Sequence, residues 1–279
     1  MTDTRLARKA DQFLNLHREP CILVLANVWD VASARIVEHV GFKAIATSSG
    51  AIANALGYPD GQRISRAEML AVVERIASNA SLPVTADLEA GYGDTLEAMA
   101  ETASAMITAG AVGLNLEDGT GNASSPLVAA ERHAEKVGRI REVGDSLGVR
   151  VVINARTDVY LEQVGEPASR FDETVRRLAI YRKAGADSLF VPGVQDAGTI
   201  GKLAKAVQGP LNILAGPGAP PVAELERLGV RRVSFGSWPA RAALGLFSRF
   251  AHELAEKGTF ATLNDWAIPY AELNRLVSQ

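Results

Sequence analysis

Short apolar runs alternate with amphipathic stretches along most of the chain. Eight such runs recur at intervals of roughly 20 to 40 residues, at 22–26, 44–48, 84–88, 112–116, 151–155, 188–191, 211–214 and 233–235. The stretches between them, such as 31–40, 67–77, 95–108, 129–143 and 172–183, space their apolar residues by three and four, which is typical of helices. Strands that alternate with helices in this way indicate an α/β fold, in which a parallel sheet closes into a (β/α)8 barrel of the TIM-barrel type.

Several of the predicted helices are followed by glycine. Gly41, Gly110, Gly185 and Gly229 each lie just beyond a helix, where glycine can adopt the left-handed conformation that caps it. No linker divides the chain, so we predict a single barrel domain over residues 1–279. Residues 258–279 exceed the eight-unit count and form a predicted C-terminal helical tail, whose apolar side chains we expect to pack on another surface, such as a partner subunit.

Composition excludes several classes of partner. The net charge of −3 and the pI near 5.9 argue against nucleic acid or an anionic membrane surface. No apolar stretch approaches the roughly 20 residues that a membrane helix needs, and residues 1–9 lack the apolar segment of a signal peptide. Cys21 is the single cysteine, so an internal disulfide is excluded and a reducing cytoplasm is the expected location.

Charged side chains cluster where three successive predicted strands end. Asp87 and Glu89 end the third strand, Glu117 the fourth and Arg156 the fifth. Alternate residues of a strand share a face, and the carboxyl ends of the strands meet at the active end of a barrel. Oxygen ligands without histidine or cysteine suit Mg²⁺ or Mn²⁺ rather than Zn²⁺. We therefore predict a hard-cation site beside an anion-binding arginine.

The pattern leaves two interpretations of Arg156 open. A buried guanidinium needs an anionic partner, because an unpaired buried charge is costly. That partner is a substrate carboxylate, held through two parallel hydrogen bonds, or a structural pair formed with Glu117 or Asp118, and the two are compatible. Strand alternation directs Asp118 away from Glu117, so we expect Asp118 to support the site from behind.

Two further segments follow predicted strands. Residues 47–51 read Thr-Ser-Ser-Gly-Ala and offer hydroxyls and backbone N–H groups to a carboxylate or enolate oxygen, although the same letters also describe an ordinary turn. Asn27-Val-Trp-Asp30 ends the first strand, where Trp29 is a candidate wall of the site and Asp30 a candidate cap of the next helix. Asp60 reads as a turn residue on composition alone.

Taken together, these segments resemble the isocitrate lyase/phosphoenolpyruvate mutase superfamily over roughly residues 20–240. The motifs that carry the resemblance are Asn27-x-Trp-Asp30, Ser49-Gly-Ala51, Gly57-x-Pro-Asp60, Asp87-x-Glu-x-Gly-Tyr-Gly93, Asn115-x-Glu-Asp118 and Ala155-Arg-Thr-Asp158. The resemblance implies a Mg²⁺-dependent enzyme that holds a 2-oxo acid or its enolate and cleaves or forms C–C or P–C bonds. It also implies a homo-oligomer, a dimer of dimers that exchanges a C-terminal helix between subunits, which would account for the tail.

The residue patterns and the resemblance together give three sets of site residues. The predicted metal ligands, direct or through water, are Asp60, Asp87, Glu89 and Glu117. The predicted substrate-binding residues are Trp29, Ser49, Gly50, Ala51, Asn122, Arg156 and Asn212. The predicted catalytic residues are Arg156, Glu117 and Tyr92, the last as a candidate proton donor.

Two departures from the superfamily pattern narrow the expected chemistry. Where the isocitrate and methylisocitrate lyases carry Lys-[Lys/Arg]-Cys-Gly-His, residues 119–126 here read Gly-Thr-Gly-Asn-Ala-Ser-Ser-Pro. Where those lyases place a glutamate, residues 190–193 read Phe-Val-Pro-Gly. Cleavage of a hydroxy acid needs both a base and an acid, whereas decarboxylation of a 2-oxo acid needs mainly a Lewis acid. Both changes disfavour isocitrate cleavage.

We therefore predict a metal-dependent carbon–carbon lyase or decarboxylase. Its substrate would be a small 2-oxo dicarboxylic acid such as oxaloacetate, which would react through a metal-held enolate. One alternative is a P–C bond enzyme acting on phosphonopyruvate, with Asn122 or Ser124 contacting the phosphonate. The other is a protein that binds a 2-oxo acid without turning it over.

Overall fold

The computed structural model describes residues 4–278, so residues 1–3 and 279 of the predicted domain and tail lie outside the described part. Nine short parallel strands form a single sheet. Their bounds are β1 Leu23–Leu25, β2 Asn27–Val28, β3 Ile45–Thr47, β4 Val84–Asp87, β5 Gly113–Glu117, β6 Val152–Arg156, β7 Ser188–Val191, β8 Leu211–Leu214 and β9 Arg232–Ser234. All eight predicted strands are present, with the first divided into β1 and β2.

The division of the first strand closes the barrel. β1 pairs with β9 and β2 pairs with β3, so the two ends of the sheet are separated only by Ala26. Asn27 bridges the two pairings: its Nδ2 donates to the Thr47 carbonyl at 2.8 Å, and its Oδ1 accepts from the backbone N–H groups of Phe235 and Gly236 at 2.7 and 2.9 Å. The chain therefore leaves one neighbour and joins the other within two residues, which confirms the (β/α)8 barrel.

Eleven α-helices are present in the described residues, and most of them surround the barrel. Their bounds are α1 Thr4–Leu16, α2 Val31–Val40, α3 Ser49–Ala55, α4 Arg66–Ser78, α5 Leu96–Thr108, α6 Ala130–Ser146, α7 Arg170–Lys183, α8 Ala197–Ala206, α9 Val222–Arg227, α10 Trp238–Lys257 and α11 Tyr270–Val277. Asp30 caps α2 through a reciprocal capping box with Ser33, as predicted. The predicted glycine at the end of that helix, Gly41, has a φ of 97°, which a residue with a side chain adopts only under strain.

Helix α1 covers the amino-terminal end of the barrel. Phe13 is completely buried and lies against Gly113, the first residue of β5. His17 lies 3.2 Å, through its Nε2, from Nη1 of Arg232, the first residue of β9. Because this end is closed by packed side chains, the opposite, carboxyl-terminal end is where a ligand can approach the strands.

The tail is helical, and much of its apolar surface faces outward. After α10, a short 3₁₀ turn at Ala261–Leu263 leads to α11, which returns to α2 and buries Leu276. Arg35 of α2 donates to the Leu276 carbonyl at 3.0 Å. By contrast, large apolar side chains are exposed: Phe247 of α10 by 64%, and Trp266 and Tyr270 of the tail by 67% and 87%. Within residues 4–278, no helix is both long and apolar enough to cross a membrane.

Candidate functional site

A cavity of about 320 Å³ opens at the carboxyl ends of β4, β5 and β6. Six carboxylates line it, those of Asp60, Glu89, Asp94, Glu117, Asp158 and Glu162. Two cations, Lys136 and Arg156, line it as well, together with Ser49, Gln62 and the backbone of residues 119–121. The cavity is therefore strongly acidic, and negative groups outnumber positive ones three to one.

Five of the predicted site residues line this cavity and four others adjoin them. Ser49, Asp60, Glu89, Glu117 and Arg156 form part of its surface. Asp87 lies beneath, where its carboxylate contacts Ser49 and Asn115. Gly50 lies against Asp60, and Tyr92 hydrogen-bonds to Glu89. Ala51 follows Ser49 by two positions in α3.

Three predicted substrate-binding residues lie apart from the cavity. Trp29 lines a separate, mostly apolar cavity of about 190 Å³ between α2, α3 and α4. Asn212 is completely buried within β8 and donates to Ser234 Oγ at 3.2 Å. Asn122 is exposed at the tip of the 119–126 loop, where its Oδ1 accepts from Ser124 N and Oγ. Their substrate-binding role stays a prediction, and it requires movement of the loop or contact through other groups.

Arg156 is held by two carboxylates of the chain itself. Its Nη1 lies 2.7 Å from Glu117 Oε2, and its Nε and Nη2 donate to Asp158 Oδ1 and Oδ2 at 2.6 and 3.1 Å. The strand register explains the first pair, because β5 and β6 place Glu117 directly beside Arg156. The structural interpretation with Glu117 is thus confirmed, whereas Asp118 is not a partner of Arg156 and Asp158 takes that place.

Asp118 supports the site from the other side of β5. It is completely buried and accepts hydrogen bonds from Thr157 Oγ1, Asp158 N and Tyr181 OH at 2.7, 2.9 and 2.6 Å. Arg177 of α7 completes the network with an ion pair at 3.0 Å. The network fixes the backbone of residues 157–158 and thereby the position of the carboxylate that holds Arg156.

Ser49 is engaged by Asp87 across the β3–β4 boundary. Asp87 Oδ2 accepts from Ser49 N at 3.0 Å and from Ser49 Oγ at 2.7 Å, while Asp87 Oδ1 accepts from Asn115 Nδ2 at 3.3 Å. Gly50 follows at the start of α3, and a Cβ atom there would lie only 2.7 Å from Asp60 Oδ2. The absence of a side chain at Gly50 therefore allows the Asp60 carboxylate to approach the backbone.

Glu89 reaches the cavity through a turn rather than through strand alternation. β4 ends at Asp87, and Glu89 and Tyr92 have φ angles of 51° and 59°, in the left-handed region. Side-chain alternation therefore does not extend from Asp87 to Glu89, although both lie at the site. Tyr92 OH donates to Glu89 Oε1 at 3.3 Å, which links the predicted proton donor to a predicted metal ligand.

Burial and nearby negative charges favour the protonated form of two cavity carboxyl groups, those of Glu89 and Glu117. Burial, together with the negative charges of Asp87 and Asp60, raises the pKa of Glu89 to about 7. Burial raises the pKa of Glu117 well above its usual range, against the opposing effect of Arg156. Burial and the same carboxylates raise the pKa of Tyr92, so its hydroxyl keeps its proton at neutral pH.

The donor set fits Mg²⁺ or Mn²⁺. Oxygen ligands from Asp60, Glu89 and Glu117 share one acidic cavity, and a divalent cation there would offset the repulsion that raises the pKa of two of them. Within residues 4–278, no three histidine, cysteine or acidic side chains already surround a common metal position. Magnesium usually takes one or two protein carboxylates and keeps several waters, so the ligand set stays a prediction.

Four lining residues carry charges that the sequence patterns did not assign: Asp94, Asp158, Glu162 and Lys136. Asp158 lies two residues beyond Arg156, so the alternation that located Arg156 also points to Asp158. Lys136 lies in the middle of α6, where it reads as an ordinary helix residue, and no local signal separates it from its neighbours. Only the packing of α6 against the loop after β4 brings Lys136 to the cavity.

The chain matches a family of known enzymes over most of its length. A family model described as phosphoenolpyruvate phosphomutase matches residues 13–255. The chain is 34% identical over 267 residues to the uncharacterized protein Rv1998c of Mycobacterium tuberculosis, which covers 95% of this chain and 96% of that protein. It is 33% identical over 223 residues to oxaloacetate decarboxylase of Pseudomonas entomophila, which covers 76% of this chain and 72% of that enzyme.

A solved structure supports the same relationship. The crystal structure of a Burkholderia cenocepacia protein proposed to be a lyase or mutase matches with a TM-score of 0.92 at 38% identity, over 99% of this chain and 97% of that one. The barrel, the acidic cavity at its carboxyl end and the sequence match agree. The chain therefore belongs to the phosphoenolpyruvate mutase family, within the superfamily of barrel enzymes that includes isocitrate lyase and contains lyases, mutases and hydrolases.

Proposed function

We propose that this protein is a Mg²⁺-dependent carbon–carbon lyase that decarboxylates a small 2-oxo dicarboxylic acid such as oxaloacetate. One observation carries the proposal. The acidic cavity contains a single arginine, Arg156, and the loop that lines one side of it has no acidic or basic side chain. Thr120 and Gly121 of that loop line the cavity, and residues 119–126 contain no lysine, histidine or cysteine. A reaction that needs little proton transfer fits such a site.

Arg156 is the anion-binding group of the proposed reaction. Its side chain lines the cavity but is only 17% exposed, and its Cζ lies 5.7 Å from the centroid of the Phe190 ring. Glu117 and Asp158 hold the guanidinium in one orientation, so little conformational entropy is lost when it meets a substrate carboxylate. A bound Mg²⁺ would supply Lewis-acid polarisation of the 2-oxo group, an effect worth several kcal/mol.

Tyr92 is the proposed source of the proton that replaces carbon dioxide on the product. Its hydroxyl carries the proton to be transferred, and its hydrogen bond to Glu89 directs it toward the carboxylate cluster. The similarity to oxaloacetate decarboxylase of Pseudomonas entomophila supports this choice of reaction. Water in the cavity is the other possible donor, and a Tyr92→Phe variant separates the two, because only the first would lose product formation.

The family match favours a second candidate, cleavage or rearrangement of a P–C bond. The matching model is that of phosphoenolpyruvate phosphomutase, and the 119–126 loop carries Asn122 and Ser124, polar groups able to contact a phosphonate. In the structure these two side chains hydrogen-bond to each other at 2.8 Å rather than facing the cavity. The second candidate therefore requires that the loop rearrange when substrate binds.

A substrate panel tests the proposal. The protein is incubated with Mg²⁺ and oxaloacetate, 2-methylisocitrate, isocitrate or phosphonopyruvate, and products are followed by NMR. We expect pyruvate from oxaloacetate, lost on chelation and in Glu117→Gln but kept in Glu142→Gln, an exposed carboxylate of α6. Turnover of phosphonopyruvate alone would instead establish P–C chemistry. Binding of 2-oxo acids without any product would contradict both enzymatic assignments.

A further inference from the structure

The loop that follows β4 has a strained backbone. Residues 88–94, called here the 88–94 loop, contain two non-glycine residues with positive φ, Glu89 and Tyr92, and between them Gly91 with a φ of 96°. Such a conformation is strained for a non-glycine residue and persists only where surrounding contacts enforce it. The loop therefore needs external support to present Glu89 and Tyr92 to the cavity.

Lys136, which lies outside the loop, supports the middle of the loop through hydrogen bonds. From α6 its Nζ donates to the carbonyl oxygens of Ala90 and Gly93, at 3.2 and 3.1 Å. These two carbonyls flank Gly91 and Tyr92, so one ammonium group bridges this part of the strained loop. Thr102 of α5 adds a bond from its Oγ1 to the Gly91 carbonyl at 2.9 Å.

The burial of Lys136 is difficult to explain by stability alone. The residue is only 4% exposed and, within residues 4–278, forms no ion pair with a carboxylate. Burying an ammonium without a paired charge is costly, so a neutral residue would give a more stable fold if support of the backbone were the only requirement. The charge instead lies at the wall of a cavity rich in carboxylates.

An ammonium group also has more donors than the loop uses. Lysine carries three N–H donors, and the two carbonyls occupy two of them. Lys136 therefore combines a mechanical link across the strained loop with a positive charge close to Glu89 and Asp94. A neutral side chain could reproduce at most the first property.

We propose that Lys136 is a positioning residue that holds the 88–94 loop in its strained conformation and thereby places Glu89 and Tyr92 for metal and substrate. The catalytic consequence rests on the proposed lyase function, whereas the effect on the loop does not. Removal of the ammonium should let Glu89 and Tyr92 relax toward ordinary backbone angles and widen their range of positions. Loss of a group that orients metal ligands typically costs about 10–100-fold in metal affinity or activity.

The test compares Lys136→Met and Lys136→Arg with wild type and with a matched control, Arg139→Met. Arg139 lies one turn away on α6 in an exposed pair with Glu142. Three readouts are collected: hydrogen exchange of peptides from the 88–94 loop, Mn²⁺ affinity from electron paramagnetic resonance, and kcat and KM for the substrate found with the panel. We expect about 10-fold faster loop exchange or more in Lys136→Met, Mn²⁺ affinity lower by about 10-fold, and kcat lowered more than KM is raised.

The arginine variant and the control decide between positioning and general stability. Arginine can donate to both carbonyls, so Lys136→Arg should recover most of the loop protection and Mn²⁺ affinity, while Arg139→Met should match wild type. If Lys136→Met does not fold, Lys136→Gln, which keeps an amide NH2 group but no charge, takes its place. Unchanged loop exchange and Mn²⁺ affinity, or faster exchange spread evenly over the barrel, would overturn the proposal. A wild type that binds Mn²⁺ but turns over none of the panel would overturn the lyase assignment and leave the first two readouts to decide on Lys136.

Discussion

Two buried histidines link the stability of the barrel to pH. His17 packs edge-on to Phe13 under the barrel, and His133 of α6 packs against the Tyr181 ring with 4.4 Å between ring centroids. Burial lowers the pKa of His17 to about 3, with the nearby Arg232 adding to the effect, and burial lowers the pKa of His133 to about 4. In the unfolded chain both histidines titrate near the usual value of about 6.5.

The sign of the effect follows from these pKa values. Because both folded-state pKa values are depressed, the unfolded chain takes up protons first as the pH falls through about 6.5, and the folded state loses stability relative to it. For His133, with a folded pKa of about 4, the loss between pH 7 and pH 5 comes to about 2 kcal/mol, and His17 adds a similar amount. The loss stops growing for each histidine once the pH is below its folded-state pKa.

Urea unfolding followed by circular dichroism at pH 7 and pH 5 measures this loss. Carboxylates with raised pKa, such as Glu89, shift stability in the opposite direction, so the quantity to compare is the difference between variant and wild type. His133→Leu should reduce the acid-induced loss by about 2 kcal/mol, whereas the exposed His39→Gln should leave it unchanged. Equal pH dependence in wild type and His133→Leu would refute the reasoning, because it would mean that His133 titrates alike in both states.

Three further outcomes are expected. Asp118→Asn removes the buried carboxylate of this network and leaves Arg177 paired with the partly exposed Glu173, so the free energy of unfolding in urea should fall by about 3 kcal/mol, and a loss below 1 kcal/mol would contradict this role. Arg156→Lys cannot form two parallel bonds to a carboxylate, so kcat/KM on the substrate of the panel should fall about 100-fold; equal kcat/KM would exclude Arg156 as the anion clamp. Because exposed apolar side chains on α10 and the tail favour a subunit contact, wild type should sediment as an oligomer and Phe247→Asp with Trp266→Asp should reduce its mass, whereas a monomeric wild type would exclude the contact.

The barrel was predictable because its signals are local. Each strand is a short apolar run, and several helices are followed by glycine, so neither prediction depends on distant residues. Glu117 and Arg156 were also predictable, since β5 and β6 are extended through both residues and the register then pairs them directly. The split of the first strand was not predictable, because it depends on the Asn27 side chain reaching Thr47 and Phe235 in two different units of the barrel.

The sequence patterns fail where the chain leaves the strand. Glu89 was placed at the site for a reason that does not hold, since its left-handed backbone breaks the alternation that starts at Asp87. Lys136 lies 46 positions from Ala90, and its helix pattern is satisfied without any contact to the cavity. Trp29 ends a strand as the pattern requires, yet it lines a different cavity, because the chain turns into α2 at once.

The adjacent residues Glu117 and Asp118, at the end of β5, have different roles at the site. Glu117 enters the cavity and pairs with Arg156, whereas Asp118, the next residue, enters the protein interior and bonds with Thr157, Tyr181 and Arg177. Two acidic side chains thus share one strand end, with one free to meet a ligand and the other committed to the fold. Since Asp118 fixes the backbone that carries Asp158, and Asp158 orients Arg156, the position of the guanidinium is set from the interior before any ligand arrives. An extended strand places groups on both of its faces with one backbone, which explains how a short segment supplies both the site and its support.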